Sequence, residues 1–101
     1  VIYDRMQHAA ARQQLRLLGG VDAVLIKASE TINPALVLIE RDVQMPADNG
    51  LTVEKKTIAS LLVAEVGKIV KGNRIEVGVS AYTVNDLLSD DGYVVRAFVR
   101  G

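Results

Sequence analysis

The amino-acid sequence predicts a mainly β fold: a small antiparallel β-barrel or sandwich with an N-terminal α-helix. From Val70 to Gly101, short runs rich in Val, Ile, Tyr and Phe alternate with glycines at 72, 78 and 92, the pattern of strands joined by tight turns. Residues 4–18 contain neither glycine nor proline and stop at Gly19-Gly20, which reads as a helix of about four turns with its C-terminal signal. Between these regions, Pro46, Asp48, Asn49 and Gly50 form the strongest interior break.

In the helix, Asp4 and Gln7 have the spacing of a capping box. At about 100° per residue, Met6, Ala10, Ala11, Leu17 and Leu18 share one broad side, while Arg5, Arg12 and Arg16 gather on the other. The first side is expected to pack on the β body. The arginine side is expected to be solvated and open to contacts.

Val21 to Ala28 reads as the first strand, and Ser29 to Pro34 as a polar turn. Ala35 to Val43 reads as a second strand, in which Val37, Ile39 and Val43 share a side interrupted by Arg41. Pro46 to Gly50 follows as an exposed loop. Leu51 to Val66 reads in two ways. From Ile58, Leu and Ala favour a helix, whereas the β-branched residues and the break at Lys55-Lys56 favour a long strand bulged near the lysines; the strand is preferred.

Lys71-Gly72-Asn73 then turns the chain into a strand at Arg74 to Val77. Gly78-Val79-Ser80 bends it into another at Ala81 to Asp86. Ser89-Asp90-Asp91-Gly92 is a hairpin turn suited to positive φ. In the last strand, Tyr93 to Arg100, the set Tyr93, Val95, Ala97 and Val99 is the core-facing candidate. Five or six strands can close into a barrel, which hides their edges.

The 101 residues, 50% apolar and 24% charged, suit one domain spanning 1–101, with its β body from residue 21 onward. Without Trp, and with Phe98 as the only Phe, the core must be aliphatic. Twelve basic and twelve acidic residues balance, giving no long-range steering toward nucleic acid or anionic lipid. The absence of cysteine excludes disulfides and thiolate chemistry. Apolar runs such as Ala35 to Ile39 are too short to span a bilayer, so no membrane partner is expected. Asp4 to Gln14 is polar where a signal peptide would be apolar, so synthesis in the cytoplasm is expected.

Few residues suggest chemistry. His8 is the only histidine and has no second His or Cys to share a metal with, so it reads as a surface or packing residue. Asp90-Asp91 lacks calcium-loop spacing, and turn aspartates commonly bond the backbone. Ser29, Ser60, Ser80 and Ser89 lack a nucleophile elbow, and Gly72 with Gly78 makes no nucleotide fingerprint. Glu40 and Asp42 share a strand face, which permits an acid pair but reads more simply as an exposed edge. Lys55, Lys56, Lys68, Lys71 and Arg74, with Tyr82 or Tyr93 for stacking, form the alternative reading as a nucleic-acid-binding module. Glu54, Glu65 and Glu76 interrupt that strip, and sequence-specific recognition is not expected. No catalytic residue, metal or cofactor is assigned.

The opening Tyr3-Asp4-Arg5-Met6, the helix with Ala10-Ala11-Arg12, and the closing KGNRIEVGVSAYTVNDLLSDDGYVVRAF together resemble the small head–tail joining proteins of tailed bacteriophages and prophages, also called neck, head-completion or stopper proteins. The matching positions are Gly72 to Ile75, Tyr82 to Val84 and Gly92 to Arg96; Asn73 stands where an aspartate is commoner. The resemblance implies a non-enzymatic component of the virion neck, made in the bacterial cytoplasm. It would sit between a portal or connector and tail-completion proteins, as a ring in the particle and a monomer before it. A tail-completion role is the near alternative. Within that role, Arg5, Arg12 and Arg16 on the helix and Pro46, Asp48 and Asn49 in the loop are the expected contact residues, the arginines by bidentate bonds to partner carboxylates.

Overall fold

The computed structural model describes residues 2–47 and 49–101, with side chains from Arg5 onward. It comprises α1 (Ile2–Leu17), β1 (Val21–Ile26), β2 (Thr31–Pro46), β3 (Val53–Leu62), α2 (Val63–Val66), β4 (Arg74–Val77), β5 (Ser80–Asp90) and β6 (Val94–Arg100). The strands close into an antiparallel barrel in the order β1-β2-β3-β6-β5-β4. The sequence expectation of a small β-barrel behind a helix is met.

The interior follows the two-residue period of the strands. Ala23 and Leu25 of β1, Ala35 and Val37 of β2, Ala59 and Leu61 of β3, Ile75 of β4, Val84 of β5 and Val95, Ala97 and Val99 of β6 pack in one cluster. Alanines set among branched aliphatics let six strands close tightly. Each fully buried Leu, Ile or Val contributes about 1.5–3 kcal/mol relative to exposure. Val66 of α2 and Ile69 after it join the same cluster.

The expected glycine turns are present. Gly72, Gly78 and Gly92 all have positive φ. At the end of α1, Gly20 N–H donates to Leu15 O at 2.9 Å and Gly19 N–H to Arg16 O at 3.2 Å, a Schellman closure that needs Gly19 at φ 108°. A Cβ at Gly20 would lie 2.8 Å from Leu15 O. The expected capping box falls on Asp4, outside the described side chains.

Several boundaries differ from the sequence expectation. The turn before β2 closes early, with Lys27 N–H bonded to Glu30 O at 2.8 Å, so β2 begins at Thr31 and runs through a cis Asn33–Pro34 bond. The register shifts between Glu40 and Val43, where Asp42 has φ 56°. This bulge turns Val43 to the face of Glu40, away from Val37 and Ile39, and it breaks the common face expected for Glu40 and Asp42. The ambiguous stretch after Leu51 satisfies both readings in succession: strand through Leu62, then one helical turn at α2. β5 also outruns its expected end, reaching Asp90 through two register shifts against β6.

Asn73 is 5% exposed, and its side-chain oxygen accepts from Val70 N–H at 3.0 Å. The neutral amide satisfies this bond without burying a charge.

Candidate functional site

The arginine helix and the hairpin beyond β2 are the two places where contact chemistry is expected, and both differ in detail from the sequence reading. Helix α1 seats Leu15 against Leu36 of β2 and Leu62 of β3, with Ala11, Leu38 and Val94 around them. His8 lies on this inner side, its ring 4.9 Å from that of Tyr93 in an edge arrangement. The packing histidine expected from sequence is therefore a neighbour of the last strand.

The inner stripe is thus His8, Ala11 and Leu15, not the broad side centred on Met6 and Leu17. Met6, Leu17 and Leu18 are 65%, 79% and 64% exposed. The reason is geometric: α1 carries apolar residues on two opposite sides, and only one can face the barrel.

The arginines are not a uniform solvated face. Arg12 Nη1 donates to Glu65 Oε2, while Glu65 Oε1 accepts from Leu36 N–H at 3.0 Å. Arg16 lies 3.3 Å from Asp22 in an exposed pair. Arg5 is exposed and has no ion-pair partner among the described residues. Of the three, Arg12 is committed to holding the helix, and Arg5 is the one most open to an external carboxylate.

The loop lies at the tip of the β2–β3 hairpin. Pro46 is exposed and pairs with Val53 as the last residue of β2, so the connecting loop is 47–52 and not 46–50. Asn49 is exposed, and its side-chain oxygen is already engaged, accepting from Leu51 N–H at 2.9 Å and Thr52 N–H at 3.3 Å. Its amide nitrogen is the group left for a partner. Asp48 lies outside the described residues.

This hairpin is longer than the barrel. β1 pairs with β2 only from Thr31 to Val37, and β6 pairs with β3 only from Thr57 to Leu62. Among the described residues, the pairs from Val43↔Lys56 to Pro46↔Val53 therefore form a two-stranded ribbon. Its tip exposes Leu51 (88%) and Val53 (65%); the sequence reading takes Leu51 as the start of a long strand and assigns neither residue to a contact. Lys56 packs at the ribbon's base, its Nζ 5.6 Å from the Phe98 ring centre and 3.2 Å from Glu54. The molecule is correspondingly elongated, 45 × 28 × 24 Å.

The basic strip of the alternative reading does not assemble. Lys55 and Lys56 are on β3 and Arg74 on β4, three strands apart in either direction around the barrel. Tyr82 is 7% exposed, and Arg41 lies over its ring at 5.8 Å while donating to its hydroxyl. Its ring is a packing surface and not a stacking platform. Among the described residues, no three His, Cys, Asp or Glu side chains converge as metal ligands.

The Asp90-Asp91 turn serves the backbone. Asp91 accepts from Val94 N–H and Tyr93 N–H, each at 2.8 Å, and these bonds hold its carboxyl below the ordinary value of 3.8. Asp90 accepts from Gly92 N–H at 2.9 Å. No protein-family model and no curated protein sequence matches the chain.

Proposed function

We propose that this chain is a non-enzymatic structural protein that joins a phage head or portal complex to the tail during virion assembly. The observation that carries the reading is the β2–β3 ribbon, an arm beyond the barrel wall whose tip presents Leu51 and Val53 to solvent. Apolar side chains held on a projecting, hydrogen-bonded arm are suited to a partner surface and gain nothing from water. The sequence resemblance to neck proteins supplies the identity of the assembly. Synthesis in the host cytoplasm and residence in the virion neck go with that role.

Electron microscopy of particles made with and without the protein tests it. DNA-filled heads without tails, rescued by complementation, are the expected result. Normal tailed particles from the deletion overturn the joining role.

A further inference from the structure

The two ends of the barrel are finished differently. Where β1 ends and β4 begins, Val66 and Ile69 enter the core, and Lys27 Nζ donates to Val66 O at 2.9 Å. At the other end, where β1 begins and β4 turns into β5, lies a cleft of about 250 Å³ lined by Val21, Ile39, Arg41, Val77, Ser80 and Tyr82. Val21, Ile39 and Tyr82 pair directly with the core residues Val37, Ala59 and Ile75, and Val77 pairs with Ser80 two residues further along. These side chains therefore continue the inward column of the wall to its mouth.

Three polar side chains interrupt the aliphatic lining. Arg41 is exposed, lies over the Tyr82 ring with its Cζ 5.8 Å from the ring centre, and donates to the Tyr82 hydroxyl. That bond uses the hydroxyl as an acceptor, so its proton and the remaining guanidinium N–H groups are left to donate. Among the described residues, Arg41 has no carboxylate partner, and neither the Tyr82 proton nor the half-buried Ser80 hydroxyl has an acceptor. Asp42, next in the chain, does not pair with Arg41, and no acidic residue lines the cleft.

One positive charge and two hydroxyls without a competing carboxylate select for an anion. Tyr82, itself 7% exposed, holds the guanidinium by both ring and hydroxyl, so little rotamer freedom is left to lose on binding. We propose that this barrel mouth binds a small aliphatic carboxylate, with the carboxylate between Arg41 and the Tyr82 O–H and the chain against Val21, Ile39 and Val77. The planar guanidinium suits the two carboxylate oxygens. The aliphatic walls favour a ligand with a hydrocarbon part over an inorganic anion, whose hydration they do not replace. The volume is below that of clefts for drug-sized ligands, which restricts the chain to a few carbons. The free acid and the C-terminal carboxylate of a leucine-ended peptide share this chemistry. The site uses neither the ribbon tip nor α1, so it is independent of the joining role.

Backbone-amide NMR of the full chain, titrated with isocaproate at neutral pH, tests the site. Saturable shifts centred on Ile39, Arg41, Ser80 and Tyr82 are expected, with a Kd of about 1 mM. R41M, which keeps a stem over the Tyr82 ring, should weaken binding about tenfold, and Y82F, which keeps the ring, about fivefold. Spectra unchanged away from the cleft show that both variants fold. The corresponding alcohol and sulfate should each bind at least about tenfold more weakly than isocaproate, since one lacks the charge and the other the chain. N-acetyl-glycyl-glycyl-leucine separates the two sources: binding as tight as isocaproate assigns the site to a peptide C-terminus, and weaker binding assigns it to the free acid. No saturable shift up to about 20 mM isocaproate, equal binding of the alcohol or of sulfate, or unchanged binding by R41M and Y82F overturns the site.

Discussion

Arg12 and Glu65 bind α1 to the barrel through a shared carboxylate: Arg12 occupies one oxygen while Leu36 N–H of β2 holds the other at 3.0 Å. Glu65 reaches both because α2 interrupts the chain just as β3 ends and lifts the side chain over the neighbouring strand. Removing it with E65A leaves the Leu36 N–H without its acceptor and is expected to cost about 1–3 kcal/mol. Hydrogen exchange should show faster exchange in α1 than in the β3–β6 ladder. Equal acceleration in both would show that Glu65 does not hold the helix selectively.

The same bond changes how the arginine face should be tested. R12E places two carboxylates together and loosens the helix before any partner is involved, so its assembly defect would be ambiguous. R5E should retain the monomer's thermal transition, because Arg5 has no ion pair among the described residues. A large loss of stability in R5E would contradict a placement without an ion pair among the described residues.

Leu15 is the main apolar anchor of α1, 5% exposed against Leu36 and Leu62. L15A is expected to destabilise by about 2–4 kcal/mol if the helix remains docked on the cavity. L17A, on the exposed side, should fall within about 0.5 kcal/mol of the unmodified chain. Urea denaturation of the two variants distinguishes the inner stripe from the outer one, and equal effects would reject that distinction.

Asp91 should set part of the acid limb of stability. Its folded-state carboxyl lies below 3.8 because Val94 N–H, and then Tyr93 N–H, favour the charged form. The stabilisation is therefore present above the unfolded value and is lost as pH falls through the lower folded value. D91N should flatten the decline in stability below about pH 4 while leaving the curve above it parallel to the original. Denaturant midpoints from pH 2.5 to 7 measure this, and an unchanged acid limb would count against it.

Tyr82 and Arg41 should be coupled. Y82F keeps the ring that Arg41 covers but removes the hydroxyl to which it donates, an expected loss of about 1 kcal/mol. In a double-mutant cycle with R41A, the two changes should cost less together than their sum. Additive losses would mean that the contact contributes little.

The turns were the most legible part of the sequence because glycine answers a local demand. Gly72, Gly78 and Gly92 each occupy positive φ, and the strands between them follow closely. Apolar periodicity was less decisive in α1. Met6, Ala10 and Leu17 form as good a helical stripe as Ala11 and Leu15, and only the tertiary fit to Leu36 and Leu62 selects between them. The bulge at Asp42 was hidden because its left-handed backbone is imposed by the register with β3, and neither Gly nor Asn marks the position. Of the candidate contacts, Pro46 and Asn49 do lie at the hairpin tip. The apolar residues beside them were obscured because Leu51 and Val53 look like the beginning of an ordinary buried strand.

β2 is one uninterrupted chain segment from Leu36, beneath α1, to Pro46 at the end of the ribbon. A load applied at the hairpin tip therefore runs along the same beam that bears the helix seat. The bulge at Asp42, where the register with β3 shifts, lies on that beam between the tip and the helix seat.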